Sequence, residues 1–217
     1  MFLKAKTLAL GALAAVALAA APAQAAVTLF QQDFSHGLGA SERLAGNFSV
    51  GRGRMGHVNG YYGNNEYSYY DLKLDLTGVT DALLSFDFVT DTELGWDGWN
   101  LLGAREGELF NATNPLVATP DVHNRFVEGL LGRGVTGINS GRATYDLTAF
   151  AGQVVNLRLR FASDLSITRP GVTFDNILAT GTARTVSAAP EPSTWAITIV
   201  GFLGAGAMLR RRQAAFA

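Results

Sequence analysis

Along the middle of the chain, apolar and polar side chains alternate one for one. Leu72, Leu74 and Leu76 alternate with Asp71, Lys73 and Asp75, and Leu84, Phe86 and Phe88 alternate with Ser85 and Asp87. Val155, Leu157, Leu159 and Phe161 alternate with Asn156, Arg158 and Arg160. Successive side chains of a strand point to opposite faces, so a period of two marks a strand with one apolar and one wetted side. Further strands are predicted at Val27–Phe34, Phe48–Gly51, Trp99–Ala104, Ala143–Leu147 and Val172–Ala179, with Gly, Asn, Asp or Pro in most of the gaps. Between Ala26 and Gly181 no helical stripe is sustained, and Phe126–Leu131 has room for one helical turn that Gly129 and Gly132 keep short. Short strands without crossover helices predict an all-β fold, a two-sheet antiparallel β-sandwich of the jelly-roll or Greek-key kind.

The two ends follow other patterns. Lys4 and Lys6 precede an Ala/Leu/Val/Gly run from Thr7 to Ala21, and Ala23 and Ala25 then place small side chains where a signal peptidase pocket accepts them. Residues 1–25 therefore read as a signal peptide, cut after Ala25, and the protein as exported. The domain is expected over 26–181, with a linker over 182–192, an apolar stretch and basic cluster over 193–212, and a tail over 213–217. At the C-terminus Pro190-Glu191-Pro192 is followed by Trp195, an apolar run to Leu209 and then Arg210-Arg211-Arg212. Ser193–Leu209 lies near the lower limit of about 17 residues for a transmembrane helix. Trp195 suits a membrane interface, and the arginines hold the far end on the cytoplasmic side.

This order of elements resembles the PEP-CTERM sorting signal of Gram-negative bacteria and occupies about the last 28 residues. The resemblance implies an exosortase-type processing enzyme as partner, transient residence in the inner membrane, and delivery to the cell surface or extracellular matrix. It also implies an association with exopolysaccharide or biofilm. A tail anchor that is never cut is the alternative.

Composition narrows the function classes. Seventeen basic and eighteen acidic residues give a net charge of -1, which leaves no surplus positive charge to neutralise a phosphate backbone and argues against a nucleic-acid partner. Cysteine is absent, so neither disulfides nor thiolate metal sites are available. The segment Tyr145–Gln153, the Val154–Phe161 strand and Phe174-Asp175-Asn176-Ile177 look like the C-terminal half of jelly-roll modules similar to MAM-like and carbohydrate-binding accessory domains.

The candidate sites are of three kinds. Jelly rolls often set the first and last strands side by side, which makes Asp33 and Asp175, joined by Asp87, candidate oxygen ligands for calcium, the one cofactor considered. Local hydrogen bonding at turns and strand edges is the competing role for these acids. For a glycan, Trp96 is the preferred stacking ring, with Asp97, Tyr61 and Tyr62 beside it, whereas Trp99 opens an apolar strand and is expected in the core. For catalysis, His36, His57 and His123 show no metal spacing and no nucleophile elbow occurs, which leaves the loop carboxylates Asp91, Glu93 and Asp97. Gly51–Gly56 fits G-x-G-x-x-G, but no helix can start at His57–Gly63, so it reads as a flexible loop with two exposed arginines. The expected function is a non-enzymatic surface or matrix protein that binds glycan. The alternatives are a secreted glycan hydrolase and a protein-protein module of an envelope assembly.

Overall fold

In the computed structural model, which describes residues 26–184 and 192–214, the alternating segments are strands whose apolar sides face one another. The larger sheet has six strands: β1 (Ala26–Gln32), β3 (Ser49–Gly51), β4 (Arg54–Gly56), β6 (Val79–Asp91), β10 (Ile138–Asp146) and β12 (Gly171–Ala183). Its order is β10-β6-β12-β4-β3, and β1 pairs with the C-terminal half of β12, so the first and last strands do lie side by side. The smaller sheet is ordered β2 (Glu42–Ala45), β5 (Tyr67–Asp75), β11 (Val154–Ala162) and β7 (Gly98–Arg105). All pairings within both sheets are antiparallel. From β5 to β7, and again from β10 to β12, each connection carries the chain from one sheet to the other, as in a jelly roll.

The core forms between the sheets. Leu72, Leu74, Leu84, Phe86, Leu157 and Phe161, all on the inner side of the predicted alternation, are buried. Trp99 is fully buried, its ring centre 5.1 Å from that of Phe174 and 5.8 Å from that of Phe86. Its indole Nε1–H donates to Thr90 Oγ1 at 2.8 Å, which removes the cost of burying that donor.

Two local expectations are corrected. Residues 51–56 form a tight β3–β4 hairpin rather than a flexible loop. Arg52 and Gly53, with φ of 56° and 67°, make the left-handed turn that matches strand twist, and Arg52 and Arg54 are exposed as expected. Phe126–Leu131 contains no helix: β8 (Arg125–Val127) turns back onto β9 (Gly132–Gly134) as a small ribbon. The excursion between β7 and β10 folds over the outer side of the smaller sheet, burying Asn100 and Arg160. Arg160 there donates to the carbonyls of Ala112 and Leu130.

Near the C-terminus α1 (Pro192–Ala214) is a 23-residue helix with proline at its first turn, where the missing N–H costs nothing. Among the described residues no helix is long and apolar enough to cross a membrane, which corrects the spanning expectation for Ser193–Leu209. Gly201, Gly204, Gly206 and Thr198 dilute the apolar stretch, and Arg210–Arg212 ends it. Ala23, Ala25, Pro190 and Glu191 lie outside the described residues.

Candidate functional site

At the end of the sandwich where β6 gives way to β7, three carboxylates converge. One oxygen each from Glu93, Asp97 and Asp164 lies within 4.8 Å of the others. Asp97 is fully buried and is held from two sides: the Tyr62 hydroxyl donates to Oδ2 at 2.5 Å, and the Asp164 backbone N–H donates to Oδ1 at 2.8 Å. Glu93 differs, because its Oε2 is buried and accepts no hydrogen bond. Burial, together with the neighbouring Asp164 and Asp97 carboxylates, raises the Glu93 carboxyl above its usual range. Burial raises Asp97 as well, with Asp164 adding repulsion. Chemically the group can take up a hard cation or hold an extra proton.

Behind it lies a second buried acid with the opposite character. Glu66 Oε1 is 2.8 Å from His57 Nε2 and accepts from Ser68 Oγ, while Oε2 accepts from Gly63 N–H at 2.7 Å and Asn47 Nδ2 at 2.8 Å. Burial pushes this carboxyl up, but the bonds from His57, Ser68, Gly63 and Asn47 outweigh it and hold the pKa down at about 2. The Val172 N–H donates to His57 Nδ1 at 3.0 Å, so the ring's proton sits on Nε2 and points at Glu66.

The outer side of the smaller sheet carries a third arrangement. Register sets Arg43 beside Asp71, Asp71 beside Arg158, and Lys73 beside Asn156. Arg158 meets Asp71 through two parallel bonds of 2.7 Å. Its guanidinium lies 3.8 Å from the Tyr69 ring centre and 4.6 Å from that of Phe110. Beside this locked pair is an open cleft of about 230 Å³, lined by Arg43, Asp71, Lys73, Phe110 and Asn156.

The structure separates the sequence-predicted residues. Trp96 and Tyr61 are solvent-facing, 48% and 69% exposed, as a stacking role needs. Tyr62 and Asp97, expected to join them at a glycan, are buried against each other, which corrects that part of the expectation. Asp87 and Asp175 are cross-strand neighbours, and β1 ends beside them, yet each acid is engaged locally. Asp33 accepts from Ser35, Asp87 from Arg142 and Asn176, and Asp175 from the Asn176 N–H. Among the described residues the three do not form a group spaced to share a cation. Asp91 faces Arg169 at 3.5 Å, and no histidine joins a group of three metal-ligating side chains among the described residues. His123 is buried with both ring nitrogens unpartnered by hydrogen bonds, and burial lowers its pKa. Asp164, Arg43 and Phe110 were not singled out from the sequence; the one local sign was a polar Ser163-Asp164 step directly after an apolar strand.

Fold and site together define a two-sheet β-sandwich with polar and aromatic surfaces on one sheet face and at one end. No protein-family model matches the chain, and no curated protein matches it. Among solved structures it is similar to the CBM22-1 xylan-binding domain from Paenibacillus barcinonensis Xyn10C, at 11% identity and a TM-score of 0.43, covering 75% of this chain and 99% of that one. It is also similar to TmCBM27, a carbohydrate-binding module described for specific mannan recognition, at 13% identity and a TM-score of 0.33, covering 74% of this chain and 99% of that one.

Proposed function

We propose that this protein is an exported, non-enzymatic glycan-binding module that uses the outer side of its smaller sheet. The observation that carries the reading is the Asp71–Arg158 pair clamped between Tyr69 and Phe110 beside an open cleft. Sugar hydroxyls pair with planar carboxylate, guanidinium and amide groups, and the apolar faces of sugar rings pack on aromatic side chains. Because these side chains are already fixed by one another, little rotamer entropy remains to be lost on binding. The hydrolase alternative lacks support at the loop acids: Asp97 is shut away from solvent and bonded to Tyr62 and the Asp164 N–H, and Asp91 is paired with Arg169.

Delivery follows from the two ends. The N-terminal Ala23/Ala25 site directs export, and the Pro190-Glu191-Pro192, apolar and Arg210–Arg212 series acts as a PEP-CTERM-type sorting signal that places the module at the cell surface or matrix. Intact-mass analysis of secreted protein should find a chain that begins at Ala26 and lacks Arg210–Arg212.

Affinity electrophoresis through gels containing soluble polysaccharides tests the binding reading. At least one polysaccharide should retard the protein without releasing reducing ends. Phe110→Ala combined with Asn156→Ala should weaken that binding by about tenfold or more, equivalent to about 1.4 kcal/mol. Loss of binding in Trp96→Ala alone would move the site to the β6–β7 end. Retardation by no polysaccharide, or release of reducing ends, would overturn the reading.

A further inference from the structure

We propose that the cleft on the outer side of the smaller sheet takes a negatively charged polysaccharide, with Arg43 pairing to the carboxylate of a uronic acid residue. The inference rests on the glycan reading of that face and adds the chemical class of the sugar. Register places the polar side chains: Arg43 stands opposite Asp71, Asp71 opposite Arg158, and Lys73, two residues along β5, opposite Asn156. Asp71 is taken up by Arg158 through its two parallel bonds of 2.7 Å. Lys73 gives one of its three donors to Glu106 at 2.5 Å, an exposed pair of small worth that a ligand can displace. The exposed Arg43 side chain has no hydrogen-bond or ion-pair partner among the described residues, and neither has the Asn156 side-chain amide. Glu42, the next acid along β2, turns to the opposite side of its strand, where Gln32, Gly39 and Tyr70 occupy its carboxylate. The cleft is left with donors in excess.

Those donors call for an acceptor that water does not match. A guanidinium bonded to a neutral hydroxyl gains little over one bonded to water, whereas a charge-assisted pair is roughly twice as strong as a neutral one. The planar fork of Arg43 also fits both oxygens of a carboxylate at once. Phe110, which lines the same cleft, offers a surface for the apolar face of the sugar ring. At about 230 Å³ and open to the surface, the cleft is smaller than the roughly 300–1,000 Å³ of pockets that enclose small molecules. That size suits one residue of a long polymer lying across the sheet. The preference is local, because a net charge of -1 draws no polyanion to the molecule as a whole. The cleft on the outer side of the larger sheet differs: it sets Arg54 among Asp87 and Asp175, and acids outnumber the cation there.

Calorimetric titration of the full chain with polygalacturonate, alginate and glucuronoxylan, each beside its carboxyl-reduced counterpart, tests the assignment. At least one acidic polymer should bind about tenfold or more tightly than its reduced form, and the preference should shrink as sodium chloride is raised. Arg43→Gln should bring the ratio of the two affinities down to about one, with an unchanged circular dichroism spectrum because the fold makes no use of that side chain. Arg43→Lys, which keeps the charge and loses the fork, should fall between parent and Arg43→Gln. Asn156→Asp, which sets a negative charge in the cleft, should lower the ratio independently. Equal affinity for acidic and reduced polymers, or a preference that survives both Arg43→Gln and Asn156→Asp, would overturn the proposal and leave glycan binding standing. Binding of neither form would remove the glycan reading along with it.

Discussion

Glu66 and Glu93 stand at the same end of the sandwich and have opposite surroundings. Glu66 is met by His57, Ser68, Asn47 and Gly63 and stays ionised. Glu93 has a buried oxygen with no hydrogen-bond partner, lies close to two other acids, and is pushed towards its protonated form. A carboxylate with every acceptor position filled holds segments together; one left open is costly unless something outside the chain completes it. The contrast separates an acid that ties segments together from one that adds repulsion to its surroundings.

The sharpest way to break the comparison is to remove Glu66. Glu66→Ala strands the His57 Nε2–H, the Ser68 hydroxyl, the Asn47 amide and the Gly63 N–H in an interior where each missing bond costs about 1–3 kcal/mol. A loss of roughly 3–5 kcal/mol in urea unfolding followed by circular dichroism is expected. A loss below about 1 kcal/mol would mean that the network holds nothing.

Acid should expose the same network by a smaller amount. Glu66 has a pKa of about 2 in the fold against an ordinary value of 4.5, so in that interval the unfolded chain binds more protons than the folded one. The stabilisation, about 3 kcal/mol, is fully present above the higher value and is lost as pH falls through the interval towards 2. Unfolding midpoints measured between pH 6 and 2 should show this fall in the parent and a flatter profile in Glu66→Gln. Equal slopes would assign the acid sensitivity to other groups.

The two acids also differ in how far the sequence announced them. Period-two alternation made β5, β6 and β11 legible, because nine or more residues are enough to show which face is apolar. Trp99 was placed in the core because it opens an apolar run. β2, β4, β8 and β9 escaped because three or four residues cannot display a period, and the hairpin at Arg52-Gly53 escaped because Arg in a left-handed turn has no compositional mark. Adjacency of the first and last strands was foreseeable, but side-chain direction was not: Asp33 turns back to Ser35, and Asp87 is taken by Arg142 and Asn176. Glu93 and Asp97 were visible as loop acids. Asp164 was not, and Tyr62 was placed near Asp97 only as a glycan ring; the two lie 67 and 35 residues from Asp97 and bond to it only when the sheets close.

The smallest expected effect sharpens the comparison most. In a chelator, replacing Glu93 by Gln removes one of three mutually repelling carboxylates and supplies an amide N–H₂ that can donate to Asp97 or Asp164. Nothing now bonds Glu93 Oε2, so no partner is stranded by the change. Unfolding free energy in urea with EDTA should therefore move by no more than about 0.5 kcal/mol, and a gain is as consistent as a small loss. A loss of about 2 kcal/mol or more in EDTA would place Glu93 in the same class as Glu66, an acid that the fold needs for itself.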